Sequence, residues 1–147
     1  MFCVNMTAEK LSEQVNIKIR ENQLAATDWE MNPLAWELQW WVEAFGILFF
    51  NKERIPIPVL TFEHARVSAL GHYHIGRNDW SVRNQINLNK KHLSTRPLWH
   101  ILQSLLHELT HAWEHTWLPK EQRTKSWYHT RTFRDVMKGF GLHCNEK

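Results

Sequence analysis

Apolar residues recur at helical spacing through Leu34, Leu38, Trp41, Val42, Phe45 and Leu48, so the segment from Pro33 to about Phe49 reads as a helix with that face turned inward. Asn32 before Pro33 offers an N-cap followed by proline at the first helical position. A weaker helical stretch, Thr7 to about Gln23, precedes it, and its pattern does not say what it packs on. Between Ile55 and Asn89 the character changes. IPIPVLTFE, SALGHYHIG and NQINLN are short segments rich in β-formers, separated by turns containing Arg, Asn and Asp. They predict three strands of a small antiparallel sheet. Helical periodicity then returns from Pro97 to Trp117, with Ser94 or Thr95 available as a cap and Pro119 beyond the end. A polar loop, KEQRTKS, leads to a last helix from about Trp127 to Lys138, closed by Gly139 and Gly141. This order of elements predicts an α+β fold.

On a helical wheel the segment from Pro97 to Trp117 separates into two faces. Ile101, Leu102, Leu105, Leu106, Leu109, Ala112, Trp113 and Trp117 cover one. His100, Gln103, Ser104, His107, His111, Glu114 and His115 cover the other, with Glu108 at the boundary. An ordinary solvated face would look similar, but this one contains His107-Glu108-Leu109-Thr110-His111, the HExxH zincin pattern. Histidines four residues apart leave one face a turn apart, so both imidazoles can reach one Zn²⁺. The glutamate after the first ligand lies beside the metal, where it can take a proton from water.

Zinc needs a third protein ligand. His115 is too far along the same helix axis to share an ion with both His107 and His111. The metzincin spacing fails because Glu114 and Trp117 stand where glycine and histidine are required. Glu121 is a carboxylate in a basic loop. His129 is the better candidate, sharing the inward face of the last helix with Phe133, Val136 and Phe140. In the first turn of that helix the positive end of the dipole would help to keep its ring neutral.

Bulk properties narrow the setting. The length, 147 residues, suits one domain, and nine tryptophans with seven phenylalanines supply large apolar anchors. Two cysteines, Cys3 and Cys144, are too few for a disulfide framework or a cysteine-only zinc site, and read as thiols in a reducing compartment. The opening MFCVNMTAEK lacks the basic-then-apolar order of a signal peptide, so the Asn5-Met6-Thr7 sequon carries no weight and an intracellular, cytoplasmic location is expected. The apolar run from Leu34 to Phe50 is too short to span a membrane and is interrupted by Glu37 and Glu43.

The net charge of +3 is uneven: acidic side chains outnumber basic ones before residue 77, and basic ones prevail from there to 138. Trp80, Trp99 and Trp127 lie among Arg77, Arg83, Lys90, Lys91, Arg96, Lys125 and Arg131 in that basic half, a mixture able to stack bases and track phosphates. Tyr128, Tyr73 and His143 are candidate oxyanion stabilisers. His72 and His74 share one side of a strand, where they could line a cleft or face solvent.

HELTHAWEH followed by YHTRTFRDVMKGFGL resembles the SprT-like domain family, in which HExxH is followed, after a variable loop, by a histidine with phenylalanine four residues later, here His129 and Phe133. ALGHYHIG and INLNKKHL resemble the strands upstream of that family's active helix, and the likeness runs from about Pro33 to Leu142. The resemblance implies a zincin-like metallopeptidase fold with His107, His111 and His129 on zinc and Glu108 as the catalytic base. It also implies a single SprT-like domain over 1–147, with its core at about 33–142, acting as a monomer. The four-cysteine zinc ribbon of many bacterial members is not in this sequence. The expected activity is hydrolysis of peptide bonds by Glu-assisted attack of zinc-bound water, on protein or peptide substrates that include DNA-associated proteins, with DNA met by the basic half. The competing expectation is a zinc-stabilised nucleic-acid-binding module that cleaves nothing.

Overall fold

The computed structural model describes residues 7–65, 69–77, 82–125 and 128–144. Cys3, Asn5, Met6, Trp80 and Trp127 lie outside them, and with them the sequon and two of the three tryptophans considered for base stacking. Among the described residues no helix is long and apolar enough to cross a membrane.

Helix α1, Ala8–Ala25, starts at Thr7, whose hydroxyl accepts from the Lys10 amide as an N-cap should. It packs largely through polar groups, which explains why its hydrophobic pattern is weak. Asn16, 1% exposed, donates to the carbonyls of Ile57 and Arg83, and Gln23 donates to Leu60 O. Glu13 accepts from the Ile57 amide.

Helix α2, Asn32–Phe50, begins one residue earlier than expected, with Met31 at the cap position. Asn32 is therefore inside the helix. Its amide instead donates to Gln23 O and Leu24 O, satisfying carbonyls at the end of α1. Ala35, Leu38, Val42 and Phe45 form its buried face, with Leu34 and Trp41 partly covered. Leu48, expected inside, is 68% exposed, because the buried stripe passes to Phe50 in the last turn.

The sheet holds the expected three strands, β1 (Val59–Thr61), β2 (Gly71–Arg77) and β3 (Arg83–Leu88), in the order β1-β3-β2. It is mixed, not antiparallel throughout. β2 pairs antiparallel with β3, while β1 runs parallel to it, with Leu60 opposite Ile86. Residues 62–82 separate β1 from β3, long enough for the crossover a parallel pair requires. Pro56 and Pro58, which cannot donate to a ladder, confine the strand after them to an edge. Side chains then lock the parallel register: Gln85 donates to the Thr61 hydroxyl, which donates to Asn87, and Asn87 Oδ1 also accepts from the Glu63 amide.

After β3 comes a short helix that the pattern did not predict, α3 (Lys90–Leu93), capped by Asn89. Ser94 closes α3 and the Thr95 hydroxyl donates back to His92 O, so neither caps the next helix. Helix α4, Leu98–Trp117, starts from Pro97 without a side-chain cap. Its apolar face is buried as expected against α2 and the sheet, through Ile101, Leu105, Leu106, Leu109, Ala112 and Trp113. Leu102 is partly buried, and Trp117 is 47% exposed while its indole N–H bonds Arg54 O.

A 3₁₀ turn, Lys120–Gln122, and a backbone bridge between Lys125 and Tyr128 lead to α5, Arg131–Gly139. α5 is shorter than expected because the Thr130 hydroxyl accepts from the Phe133 amide and sets the helix start there. Its end follows the glycine reading. Gly141 sits at φ +81°, its N–H bonding Lys138 O at 2.9 Å, and Leu142 N bonds Met137 O at 3.0 Å. That pair of bonds is a Schellman turn, and it sends the chain back toward α4.

Candidate metal centre

His107 and His111 leave the outer face of α4 one turn apart, and the Tyr128–Thr130 segment delivers His129 opposite them. His129 lies just ahead of the Thr130 cap rather than inside the first turn of α5, so its position rests on the Lys125–Tyr128 bridge and not on helical periodicity. The three rings still converge. Ring centroids stand 4.9 Å apart for His107–His111, 5.0 Å for His107–His129 and 5.4 Å for His111–His129. Phe133, fully buried, packs against all three, at 5.1 Å from His107, 4.3 Å from His111 and 4.8 Å from His129. It is the apolar floor that holds the rings at fixed angles.

His107 Nε2 and His111 Nε2 face each other at 3.2 Å. Two nitrogens bound to one tetrahedral Zn²⁺ at about 2.0–2.1 Å would lie about 3.4 Å apart, so this spacing suits a shared ion. Glu114 sets the tautomer of His111. Its Oε2 lies 3.1 Å from His111 Nδ1, which places the ring proton there and leaves Nε2 as a lone pair. The same carboxylate is fully buried, and its Oε1 accepts from both the amide and the hydroxyl of Thr124, each at 2.9 Å. Burial above all, and then the neighbouring His111 and His129, drive the His107 pKa down to about 3, so that ring is neutral and able to ligate. Ligand atoms of His107, His129 and Cys144 lie within 4.8 Å of one another, a group that could hold a metal ion; His111, paired with His107 at 3.2 Å, falls outside that group. Cys144, which composition presented as an unremarkable thiol, is half-buried beside this centre, and burial raises its pKa.

Glu108 is 6% exposed and its pKa is raised to about 7, because burial penalises the carboxylate more than His111 and the hydrogen bond it accepts from the Tyr73 backbone favour it. Gly71, at the start of β2, makes room for it. A Cβ there would stand 2.9 Å from Asn87 O and 3.6 Å from Glu108 Cγ. Two cavities meet at Gly71, His107 and Glu108. One, of about 390 Å³, is lined also by Leu70, Ser104, Met137, Leu142 and His143. The other, of about 340 Å³, is lined also by His72, Tyr73, Tyr128 and His129. β2 is an edge of the sheet, and its residues Gly71, His72, Tyr73 and Ile75 line this second cavity.

The remaining candidates are sorted by the same geometry. His115 packs on Tyr73 at 5.4 Å and lines the second cavity together with His107, His111 and His129, and Glu121 is exposed on the 3₁₀ turn. His143 lines the first cavity and Tyr128 the second. Tyr73 keeps its phenolic proton, with burial pushing its pKa to about 12. His72 lies on the cleft rim, whereas His74 is held by a contact between its Nε2 and Arg77 O at 3.0 Å. The orienting role of Glu114 and the nearness of Cys144 are not legible in motif spacing. Glu114 looked like one more residue of a solvated face, and only the fold of 118–124 over it shows otherwise.

Comparison with protein-family models, with curated proteins and with solved structures finds no match to this chain.

Proposed function

We propose that this chain is a zinc-dependent endopeptidase of the SprT-like kind, with His107, His111 and His129 holding the metal and Glu108 acting as general base. One observation carries the reading: a buried carboxylate, raised to about 7, at the meeting point of two cavities and next in sequence to a neutral imidazole paired with a second at 3.2 Å. A site built only to stabilise the fold has no use for such a group, since an uncompensated buried acid costs stability. The non-catalytic alternative therefore ranks second.

Zinc held by His107, His111 and His129 would supply Lewis acidity for a peptide carbonyl and an acidified water. The protein does the rest. Glu108, with its pKa near neutral, can accept the water proton and return it to the leaving amine. Its burial keeps that exchange away from bulk solvent. The edge of β2 can pair with an extended peptide across the cleft, leaving the cavities on either side of Glu108 to take side chains. Tyr128, at the rim beside His129, can donate its hydroxyl to the carbonyl oxygen as charge develops. His100 lines the other cavity, and exposed Trp99 stacks on its ring while Arg96 donates to it, an aromatic and a cation side by side that favour substrates presented near nucleic acid.

The direct test is zinc content by elemental analysis of the wild type and of His129→Ala, followed by peptide hydrolysis. One equivalent in the wild type and a sharp loss in the variant are expected. Glu108→Gln should retain zinc and lose hydrolysis. No zinc in the wild type after reconstitution would sink the proposal, and full retention in His129→Ala would remove that residue from the ligand set.

A further inference from the structure

Cys144 is placed by the same turn that closes α5. Gly141 in the left-handed region reverses the chain, the Leu142 amide ties it to Met137 O, and Leu142 and His143 then line the cavity that contains His107 and Glu108. The same segment carries Cys144, whose sulfur lies within 4.8 Å of ligand atoms of His107 and His129. A thiolate is a preferred zinc donor, tetrahedral zinc takes four ligands, and a catalytic site must leave one position open. Added to the three histidines proposed above, a cysteine would fill all four.

We propose that Cys144 is the fourth ligand of this metal and holds the site in a latent, closed form until the segment after Gly141 swings away. The inference rests on the zinc reading above and adds a regulatory residue to it. On closure the sulfur lone pair enters the fourth position, the S–H proton passes to solvent and one water molecule leaves. Metal coordination deprotonates a thiol outright, so burial of Cys144 is no obstacle. With that position filled, Glu108 has no activated water to deprotonate. Opening requires only that a short segment beyond one turn be displaced, for example by a polypeptide entering the cleft.

The test uses the full chain loaded with Co²⁺ in place of zinc, alongside Cys144→Ser and Cys144→Ala. Expected are one equivalent of cobalt in all three, a near-ultraviolet thiolate-to-cobalt charge-transfer band in the wild type alone, and faster peptide hydrolysis by the zinc-loaded variants. If the closed form is dominant, the gain is on the order of ten-fold or more, the factor by which the open fraction grows. Cobalt bound without that band overturns the inference and leaves the three-histidine centre standing. So does a band that persists in both variants, which would assign it to Cys3, the other cysteine of the chain. Failure of all three proteins to bind cobalt would overturn the zinc reading itself, and this inference with it.

Discussion

Replacing Glu108 with glutamine should stabilise the metal-free protein at alkaline pH, and the size of the effect follows from the environment of the carboxyl. The group is buried and its pKa rises from an ordinary 4.5 to about 7. The native state therefore holds this proton more tightly than the unfolded chain does. The stability it contributes is fully present below pH 4.5 and is lost as pH rises through about 7. At about 1.4 kcal/mol per pH unit, that interval is worth on the order of 3 kcal/mol. Glutamine has the same shape and no proton to lose, so it escapes the loss. His107 works in the opposite sense: with its pKa depressed from 6.5 to about 3, its contribution is present above 6.5 and disappears as pH falls toward 3. Both chains share that acid-side loss, so the difference between them isolates Glu108. Urea denaturation in the presence of a chelator, repeated between about pH 4 and about pH 8, measures it. The two proteins should converge at the acid end, with the variant ahead by about 3 kcal/mol at the alkaline end. Adding zinc should narrow the gap, because a cation beside the carboxylate favours its charged form. A difference that does not change with pH would refute the reasoning, since it would mean that Glu108 is not desolvated.

Further outcomes follow from the same contacts. Glu114→Gln keeps a partner for Thr124 but loses the second carboxyl oxygen that accepts from His111 Nδ1, so zinc affinity by competition with a chelator should fall about 10- to 100-fold while the fold persists. Phe133→Ala removes the floor under three histidine rings and should cost about 3–5 kcal/mol in denaturant unfolding, with weaker metal retention. Gly71→Ala drives a Cβ into Asn87 O at 2.9 Å, where only a backbone shift of β2 relieves it, and should lower hydrolysis more than it lowers zinc content. Gly141→Ala meets no atom within 4 Å but sits at φ +81°, so it should cost about 1 kcal/mol and weaken the thiolate band of the cobalt protein.

The sequence by itself determined α4, its two faces and the pairing of His107 with His111, because a helical period of 3.6 places residues four apart on one side wherever the helix sits. It determined the presence of α2 and three short strands for the same local reason, and the glycine turn after α5. What it left open depends on partners distant in the chain. The parallel run of β1 follows from a crossover and from side-chain bonds linking Thr61 to Gln85 and Asn87, which no local period encodes. Leu48 fits the apolar stripe but stays 68% exposed. Helix dipole and face, argued for His129 from an assumed first turn, gave way to a backbone bridge that carries the ring to the site from outside the helix. Tertiary structure alone turned Glu114 from a surface acid into the buried partner of His111, and brought Cys144 beside His107. Burial, and with it proton affinity and ligand reach, is a property of what packs on a residue, and that is decided only when the chain closes on itself.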